Sequence, residues 1–125
     1  MSFLLFLRAY LELIRFELYL KRADFHLLYS KVRNCPVGNT EANRENVERI
    51  CAAFDRACIW YPKQVLCLQR SAATAFLLKK YGAMAHLVIG AQQIPFKAHA
   101  WVEVDGCVVN DKPYVPEIYG VLDRC

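Results

Sequence analysis

Apolar residues in the first half of the chain recur with the spacing of α-helices. Residues 3–22 are apolar except along a polar stripe that begins at Arg8, which predicts one helix with a wide apolar face. Residues 24–33 predict a second, short helix, and apolar residues at three- and four-residue steps predict an amphipathic helix at about 43–60. Turn-forming residues at 35–40 separate the second helix from the third.

The second half of the chain changes from helical to strand periodicity. After a break at Pro62, a mostly apolar run predicts a fourth helix that ends near residue 81, with Gly82 placed to cap it. Three antiparallel strands are then predicted, at about 84–90, 97–104 and 107–111. Residues 111–120 predict an irregular tail. Helices followed by antiparallel strands indicate a small α+β domain.

Length and charge narrow the classes of protein to which this chain can belong. At 125 residues it predicts a single domain, 1–125, with one modest core. Its net charge of +4 is only mildly basic, it has no long run of like charges, and basic residues are not interleaved with aromatic ones. These features argue against a nucleic-acid partner.

The apolar N-terminal segment is interrupted by four charged residues, Arg8, Glu12, Arg15 and Glu17. A membrane-spanning helix needs about 20 apolar residues with few charges, and a secretory signal ends in a small-residue cleavage site. The segment has neither pattern, so we expect a cytoplasmic protein without a transmembrane segment. The helix is expected to pack on the domain, with partner docking or membrane-surface binding as the alternative.

Six cysteines occur, at positions 35, 51, 58, 67, 107 and 125. Cys51 and Cys58 lie two turns apart on one helical face, too far along a rigid rod to bond each other. The chain has no CxxC pair and no histidine at zinc-ligand spacing from a cysteine. We therefore predict reduced thiols, most of them in the core, and neither a metal site nor a cofactor.

Cys67 differs from the other cysteines because it follows a chain break and lies near the start of a predicted helix. The positive end of the helix dipole favours the thiolate, the form that attacks carbonyl carbons. A lone cysteine at such a position is more often a core residue. A nucleophilic role also requires a histidine as base and a third group that orients the histidine.

The stretch KAHAWVEVDGCVVND, residues 97–111, offers both partners. Glu103 is the rival to Asp111 as the acid that orients His99, because strand alternation places it on the same face as His99. The side chains of His99 and Glu103 point in parallel, however, which disfavours a contact between them. A two-residue turn ending at Gly106 would put Asp111 on the opposite face from His99, whereas a three-residue loop would put the two opposite each other. The sequence permits both turns. A Cys–His–Asp site requires the three-residue loop, or a bulge that shifts the register by one residue.

These motifs closely resemble those of the transglutaminase-like cysteine protease of lasso-peptide biosynthesis, which removes the leader from the precursor peptide. The resemblance covers residues 60–111 and rests on CLQRS, on HAWVE followed by DG, and on VVND. It implies a transglutaminase-like, papain-like core in which Cys67 is the nucleophile, His99 the general base and Asp111 the residue that orients the histidine. Residues 1–59 form a helical part without a matching motif.

Four further residues are candidates for the site. Gln64 is a candidate oxyanion donor beside the backbone N–H of Cys67. Arg70 and Ser71 belong to the family motif and are candidates for the substrate groove, with a structural salt bridge as the alternative for Arg70. Trp101 shares the face of the general base, where it either packs or contacts substrate.

The resemblance also implies partners and a reaction. The partners are the lasso-peptide precursor, a separate leader-binding recognition protein and an ATP-dependent cyclase, because the short chain is similar to the free-standing form of the protease. The reaction is peptide-bond hydrolysis through an acyl-enzyme. Two other functions stay open: an acyltransferase or cross-linking transglutaminase with the same three residues, and a non-catalytic binding domain in which Cys67 is a core residue.

Overall fold

Helices come first in the chain and strands last, which confirms the predicted α+β class. The structure, a computed structural model, describes residues 3–22, 25–38 and 43–125. Within these ranges the elements are, in chain order, α1 (Phe3–Lys21), α2 (Phe25–Arg33), α3 (Arg44–Trp60), α4 (Cys67–Lys80), β1 (Ala85–Gln93), β2 (Phe96–Val104), β3 (Cys107–Val108), α5 (Val115–Ile118) and β4 (Gly120–Arg124).

The helix ends follow the local sequence. The side chain of Asn43 accepts a hydrogen bond from the backbone N–H of Asn46 at 2.8 Å and so caps the start of α3. After α4, Gly82 has a φ of 95°, the left-handed conformation in which helices commonly end. The first four helices lie close to their predicted positions, although position 24 of the second helix and positions 39–40 of the predicted break lie outside the described residues.

Helix α4 is the centre of the core. Residues 71–79 are all buried, because α1, α3 and one face of the sheet pack around this helix. Helix α1 contributes Ala9, Leu13 and Phe16 to the core, while most of its other large apolar side chains stay at least partly exposed. Burying one such large side chain stabilises a fold by about 1.5–3 kcal/mol. The predicted packing of the N-terminal helix therefore involves only one of its faces.

The sheet has the strand order β3-β2-β1-β4, with antiparallel pairing throughout the described ladders. Strands β1 and β2 pair over nine residues, from Ala85 opposite Val104 to Gln93 opposite Phe96. One face of β2 packs in the core with α4, and the other face carries His99. Strand β2 thus links the core to the candidate chemistry.

The sequence predicts an irregular tail at 111–120 and no element after it, so it predicts neither the short helix nor the last strand of the structure. Residues 115–118 form the short helix α5, and Gly120–Arg124 form an edge strand. All residues of β4 are exposed, so this segment lacks the alternation of buried and exposed residues by which a strand is recognised. Pairing with β1 makes it a strand.

The turn between β2 and β3 differs from the three-residue loop that the predicted site favours. Val104 lies opposite Cys107, so the turn contains only Asp105 and Gly106. Both turn residues have positive φ, 53° and 79°, as in the I′ turn, whose twist matches that of the flanking strands. The three-residue loop is therefore wrong, and β3 comprises two residues rather than the predicted stretch 107–111.

All six cysteines are free thiols. Cys67 and Cys107 are exposed, Cys58 is half-buried, and the remaining three are buried. Across the described ranges, no helix is both long enough and apolar enough to cross a membrane.

Candidate active site

Helix α4 begins at Cys67, whose side chain is exposed. Leu66, the residue before it, has an extended backbone and an apolar side chain, which cannot cap the helix. The first backbone N–H groups of a helix have no partner within that helix, and this end carries the positive pole of its dipole. The Cys67 thiol therefore lies beside backbone N–H donors that can stabilise a developing negative charge.

His99 and Asp111 form the second part of the site. His99 Nε2 lies 2.6 Å from Asp111 Oδ2, and both side chains are partly exposed. The other carboxylate oxygen, Oδ1, accepts a hydrogen bond from the backbone N–H of Lys112 at 2.8 Å, which fixes the carboxylate. Within the described residues His99 Nδ1 has no hydrogen-bond partner. A histidine held at Nε2 by a carboxylate presents its other nitrogen as a base.

Asp111 reaches His99 although the two-residue turn directs it to the other face. The backbone N–H of Val109 still donates to Val102 O at 3.0 Å, as in a regular ladder. The N–H of Val102, however, donates to the side-chain Oδ1 of Asn110 at 2.8 Å. The chain thus leaves the ladder just before Asp111, and this irregularity takes the place of the register shift that the site requires.

Two aromatic rings lie against His99. Its ring centroid is 5.1 Å from that of Tyr119, with an interplanar angle of 26°, and 6.1 Å from that of Trp101. Stacked rings at such distances contribute about 0.5–1.5 kcal/mol beyond their burial. The stack requires the absence of a side chain at Gly90, where a Cβ atom would lie 2.7 Å from Trp101 Cη2 and 2.9 Å from Tyr119 Cβ.

Glu103, the rival acid, has other partners. Its side chain is buried, and its two oxygens accept hydrogen bonds from Trp101 Nε1 at 2.9 Å and from Arg124 Nε at 3.4 Å. Glu103 and His99 share no hydrogen bond in the part of the chain that the structure describes. The geometry therefore favours Asp111 as the partner of His99.

Ser71 attaches the first turns of α4 to the segments that carry the histidine and the acid. Its hydroxyl donates to Ala100 O at 3.0 Å, next to His99, and accepts from Asn110 Nδ2 at 3.0 Å. Ser71 follows Cys67 by one helical turn, so these bonds tie the Cys67 end of α4 to β2. The thiol itself makes no hydrogen bond with either member of the His–Asp pair in the described ranges.

The remaining predicted site residues have mainly structural contacts. Arg70 forms an ion pair with Asp55 of α3, which is the alternative that the sequence leaves open. Ser71 and Trp101 have only 1% and 0% of their surface exposed, so neither side chain lines an open groove in this structure. For Trp101 this is the packing alternative that the sequence leaves open. Gln64 is exposed, three residues before the start of α4.

The other cysteines provide a contrast with Cys67. Burial raises the pKa of Cys51 to about 11. Burial also raises the pKa of three further thiols, those of Cys35, Cys58 and Cys125. Cys107, beside the β2–β3 turn, is the other exposed thiol. Among the described residues, no group of three or more His, Cys, Asp and Glu side chains is arranged to hold a metal ion.

Sequence reasoning missed Gly90, Asn110 and Tyr119 as parts of this site. Asn110 lies within the VVND motif, but its position in a strand pattern assigns it no chemistry. Tyr119 lies in a segment without periodicity. The need for glycine at position 90 arises only from rings contributed by other elements.

Comparison with known proteins gives the class to which this fold and site belong. Residues 10–123 match the Transglutaminase-like superfamily, and the chain therefore belongs to that superfamily, whose members are typically cysteine-dependent enzymes. A segment of 56 residues is 43% identical to the microcin J25-processing protein McjB of Escherichia coli. The match spans 45% of this chain and 27% of McjB. No solved structure matches the chain.

Proposed function

We propose that this chain is a cysteine peptidase that removes the leader peptide from a lasso-peptide precursor. The observation that carries the proposal is the His99–Asp111 pair, with 2.6 Å between Nε2 and Oδ2, in a sheet packed against a helix that begins at the exposed Cys67. Membership of the superfamily and the partial similarity to a microcin-processing protein support it. Thiol-dependent hydrolysis needs a nucleophile, a base and an orienting group.

The proposed reaction begins with proton transfer from Cys67 to His99. Asp111 accepts the hydrogen bond of Nε2–H, which leaves Nδ1 unprotonated and able to take the thiol proton. The thiolate attacks the carbonyl carbon at the leader–core junction, forming a C–S bond while the carbonyl electron pair moves to oxygen. As the C–N bond breaks, the imidazolium protonates the departing amine of the core peptide.

The second half of the reaction releases the leader. The leader remains attached to Cys67 as a thioester, and His99 Nδ1 takes a proton from water as that water attacks the thioester carbonyl. The C–S bond then breaks, and the imidazolium returns its proton to the thiolate. The backbone N–H groups at the start of α4 stabilise the oxyanion in both halves, with Gln64 as the proposed additional donor.

Closure of the site is part of this proposal, because Cys67 and His99 share no hydrogen bond in the described ranges. In enzymes without substrate, contacts between catalytic groups are often long and tighten only in the bound complex. Substrate binding would therefore bring the thiol to His99 Nδ1.

Acyl transfer to an amine is the second candidate function. It uses the same thioester and the same three residues, and the match to the Transglutaminase-like superfamily favours it. The products differ in mass, because an amine replaces water as the final acceptor. The third possibility, a binding domain with Cys67 in its core, is disfavoured because Cys67 is exposed.

A separate leader-binding protein is the proposed partner, docked on the outer face of α1. That face carries an exposed apolar row with alternating steps of three and four residues, formed by Leu4, Leu7, Leu11, Ile14 and Leu18. This is the spacing of a helix–helix seam, and an exposed apolar patch of this kind marks a protein contact.

We also propose a cytoplasmic location, where free thiols stay reduced. A further proposed partner is an ATP-dependent cyclase that acts on the released core peptide.

The test is incubation with a lasso precursor, the leader-binding protein and a trial amine, followed by mass spectrometry. We expect free leader and free core, loss of both in the Cys67→Ala variant, and full activity in the matched Cys107→Ala variant.

The same assay tests the partner. Cleavage should be slow without the leader-binding protein, and Leu11→Lys should remove the stimulation that this protein gives. A leader–amine conjugate as the main product would favour the acyltransferase, and full-rate cleavage by the isolated chain would contradict the role of the partner.

A further inference from the structure

The turn between β2 and β3 sets a register that is incompatible with the His–Asp pair. Val104 lies opposite Cys107, so a continued ladder would pair Val102 with Val109 and Ala100 with Asp111. Ala100 is buried in the core with α4. A regular strand would therefore direct the carboxylate of Asp111 to the core face, where an unpaired charge is costly.

Where the β2–β3 ladder stops, hydrogen bonds from two side chains replace its backbone hydrogen bonds. A continued ladder would bond the N–H of Val102 to a carbonyl of β3, but Asn110 Oδ1 accepts it at 2.8 Å. The same ladder would bond Ala100 O to an N–H of the opposite strand, but the hydroxyl of Ser71 donates to it at 3.0 Å. Asn110 Nδ2 donates to that hydroxyl at 3.0 Å, which closes the network.

We infer that Asn110 is a positioning residue for the site. Its amide substitutes for the backbone of β3, so that the chain leaves the sheet one residue before Asp111 and the carboxylate reaches the His99 face. Through Ser71, the same amide ties this exit to α4, one turn after Cys67. The consequence for catalysis rests on the proposed function, whereas the consequence for the His99–Asp111 hydrogen bond does not.

The network requires an amide rather than a carboxylate at position 110. The hydroxyl of Ser71 has one proton, which it donates to Ala100 O, so its partner at position 110 must donate. An ionised aspartate accepts only, and it would leave either the Ser71 hydroxyl or Ala100 O without its partner. Asn110→Asp keeps the size of the side chain and its bond to the Val102 N–H, but loses the bond to Ser71. The variant therefore tests the bond to Ser71 separately from the bond to Val102.

The test is a double-mutant cycle on cleavage, with Asn110→Ala, Asp111→Ala and the double variant. We expect Asn110→Ala to lower kcat about 10²-fold, because catalysis is this sensitive to a displacement of about 1 Å, with KM changed less than about twofold. Once Asp111 is absent its position no longer matters, so the double variant should be no slower than Asp111→Ala alone. Fully multiplied losses in the double variant would overturn the inference.

A second readout needs no activity. The chain has three histidines, at positions 26, 86 and 99, so proton NMR of the ¹⁵N-labelled protein can identify the hydrogen-bonded Nε2–H of His99. We expect this exchange-protected resonance to be lost in Asn110→Ala and weakened in Asn110→Asp and Ser71→Ala. The matched control is Gln92→Ala, which removes an amide bond to Pro95 O at the other hairpin and should leave the resonance unchanged.

The outcomes are distinguishable from failure of the proposed function. If the wild-type chain cleaves no precursor but the Nε2–H resonance follows Asn110, the peptidase proposal fails and the positioning role stands. If folded Asn110→Ala and Asn110→Asp both retain the resonance, the positioning role is wrong, whatever the activity. Should Asn110→Ala not fold, Asn110→Asp decides the question by the same two readouts.

Discussion

Strand β2 has two neighbours, and they are built differently. On one side β1 pairs with it over nine residues without interruption. On the other side β3 pairs over only two residues before the side chain of Asn110 takes the place of the strand. The regular ladder fixes which residues share a face, since faces alternate strictly along paired strands. The interrupted ladder brings together His99 and Asp111, which strict alternation would separate.

The two sides of β2 are expected to differ in their contributions to stability and to catalysis. The β1 side is held by backbone hydrogen bonds and by the packing of Trp101 and Tyr119 over Gly90. The β3 side depends on a few side-chain bonds at a partly exposed edge. We therefore expect changes on the β1 side to alter mainly the free energy of unfolding, and changes on the β3 side to alter mainly catalysis.

The largest effect is expected at Asp111. Replacing it with alanine removes the group that holds His99, and loss of the orienting acid lowers kcat by about 10⁴-fold in a Ser–His–Asp triad. Because Asp111 is at the surface, the melting temperature should change little. Asp123→Ala removes another exposed aspartate, which pairs with Arg33, and should leave cleavage unchanged. Equal activities of the two variants would contradict the role of Asp111.

On the β1 side, Gly90→Ala should cost stability. The added Cβ would lie 2.7 Å from Trp101 Cη2, and overpacking of this kind costs about 1–3 kcal/mol. Urea denaturation measures the loss. The matched control is Gly120→Ala in β4, where the nearest atom to a Cβ would be Ala91 O at 3.7 Å. If the two alanine variants unfold at the same urea concentration, the ring stack does not constrain position 90.

Gly106→Val tests how the turn affects the site. Nothing lies within 4 Å of a Cβ at this position, but φ is +79°, so the penalty is conformational and amounts to about 1–2 kcal/mol. We expect a modest loss of stability and a disproportionate loss of kcat, because a displaced turn displaces Asp111. Asp105→Asn, at the other turn residue, should be close to neutral, since asparagine tolerates positive φ. A loss of stability with kcat unchanged would show that Asn110 alone sets the position of Asp111.

The smallest effect is expected at the ion pair between Arg70 and Asp55. Both side chains are partly exposed, at 33% and 58%, and such pairs contribute about 0–1 kcal/mol. Asp55→Asn should therefore change thermal stability and cleavage only slightly. A large rise in KM for Arg70→Ala, with Asp55→Asn neutral, would instead assign Arg70 to substrate binding.

The parts of the fold that follow from local periodicity could be predicted from the sequence. The first four helices and strands β1 and β2 have clear apolar patterns, and the motifs around Cys67 and His99 mark the resemblance. The register between β2 and β3 could not be predicted, because the turn chemistry of Asp105-Gly106 and the requirement of the site pointed to different registers. Only the network of Ser71 and Asn110, two residues far apart in sequence, reconciles them.

Strand β4 and the aromatic stack depend even more on tertiary structure. All residues of β4 are exposed, so its sequence has no strand signal, and its pairing with β1 alone defines it. Tyr119 reaches His99 because the chain between α5 and β4 returns to the sheet there. Contacts of this kind arise from the assembled fold and have no local sequence pattern.

Mild alkylation with iodoacetamide, mapped by mass spectrometry while cleavage is followed, tests the central claim most directly. Cys67 is exposed at a helix N-terminus, whereas burial raises the pKa of Cys35, Cys51, Cys58 and Cys125. We predict that Cys67 is labelled first, that cleavage falls in proportion to its labelling, and that Cys107→Ser leaves both rates unchanged. Full cleavage by protein that is completely labelled at Cys67 would contradict its role as the nucleophile.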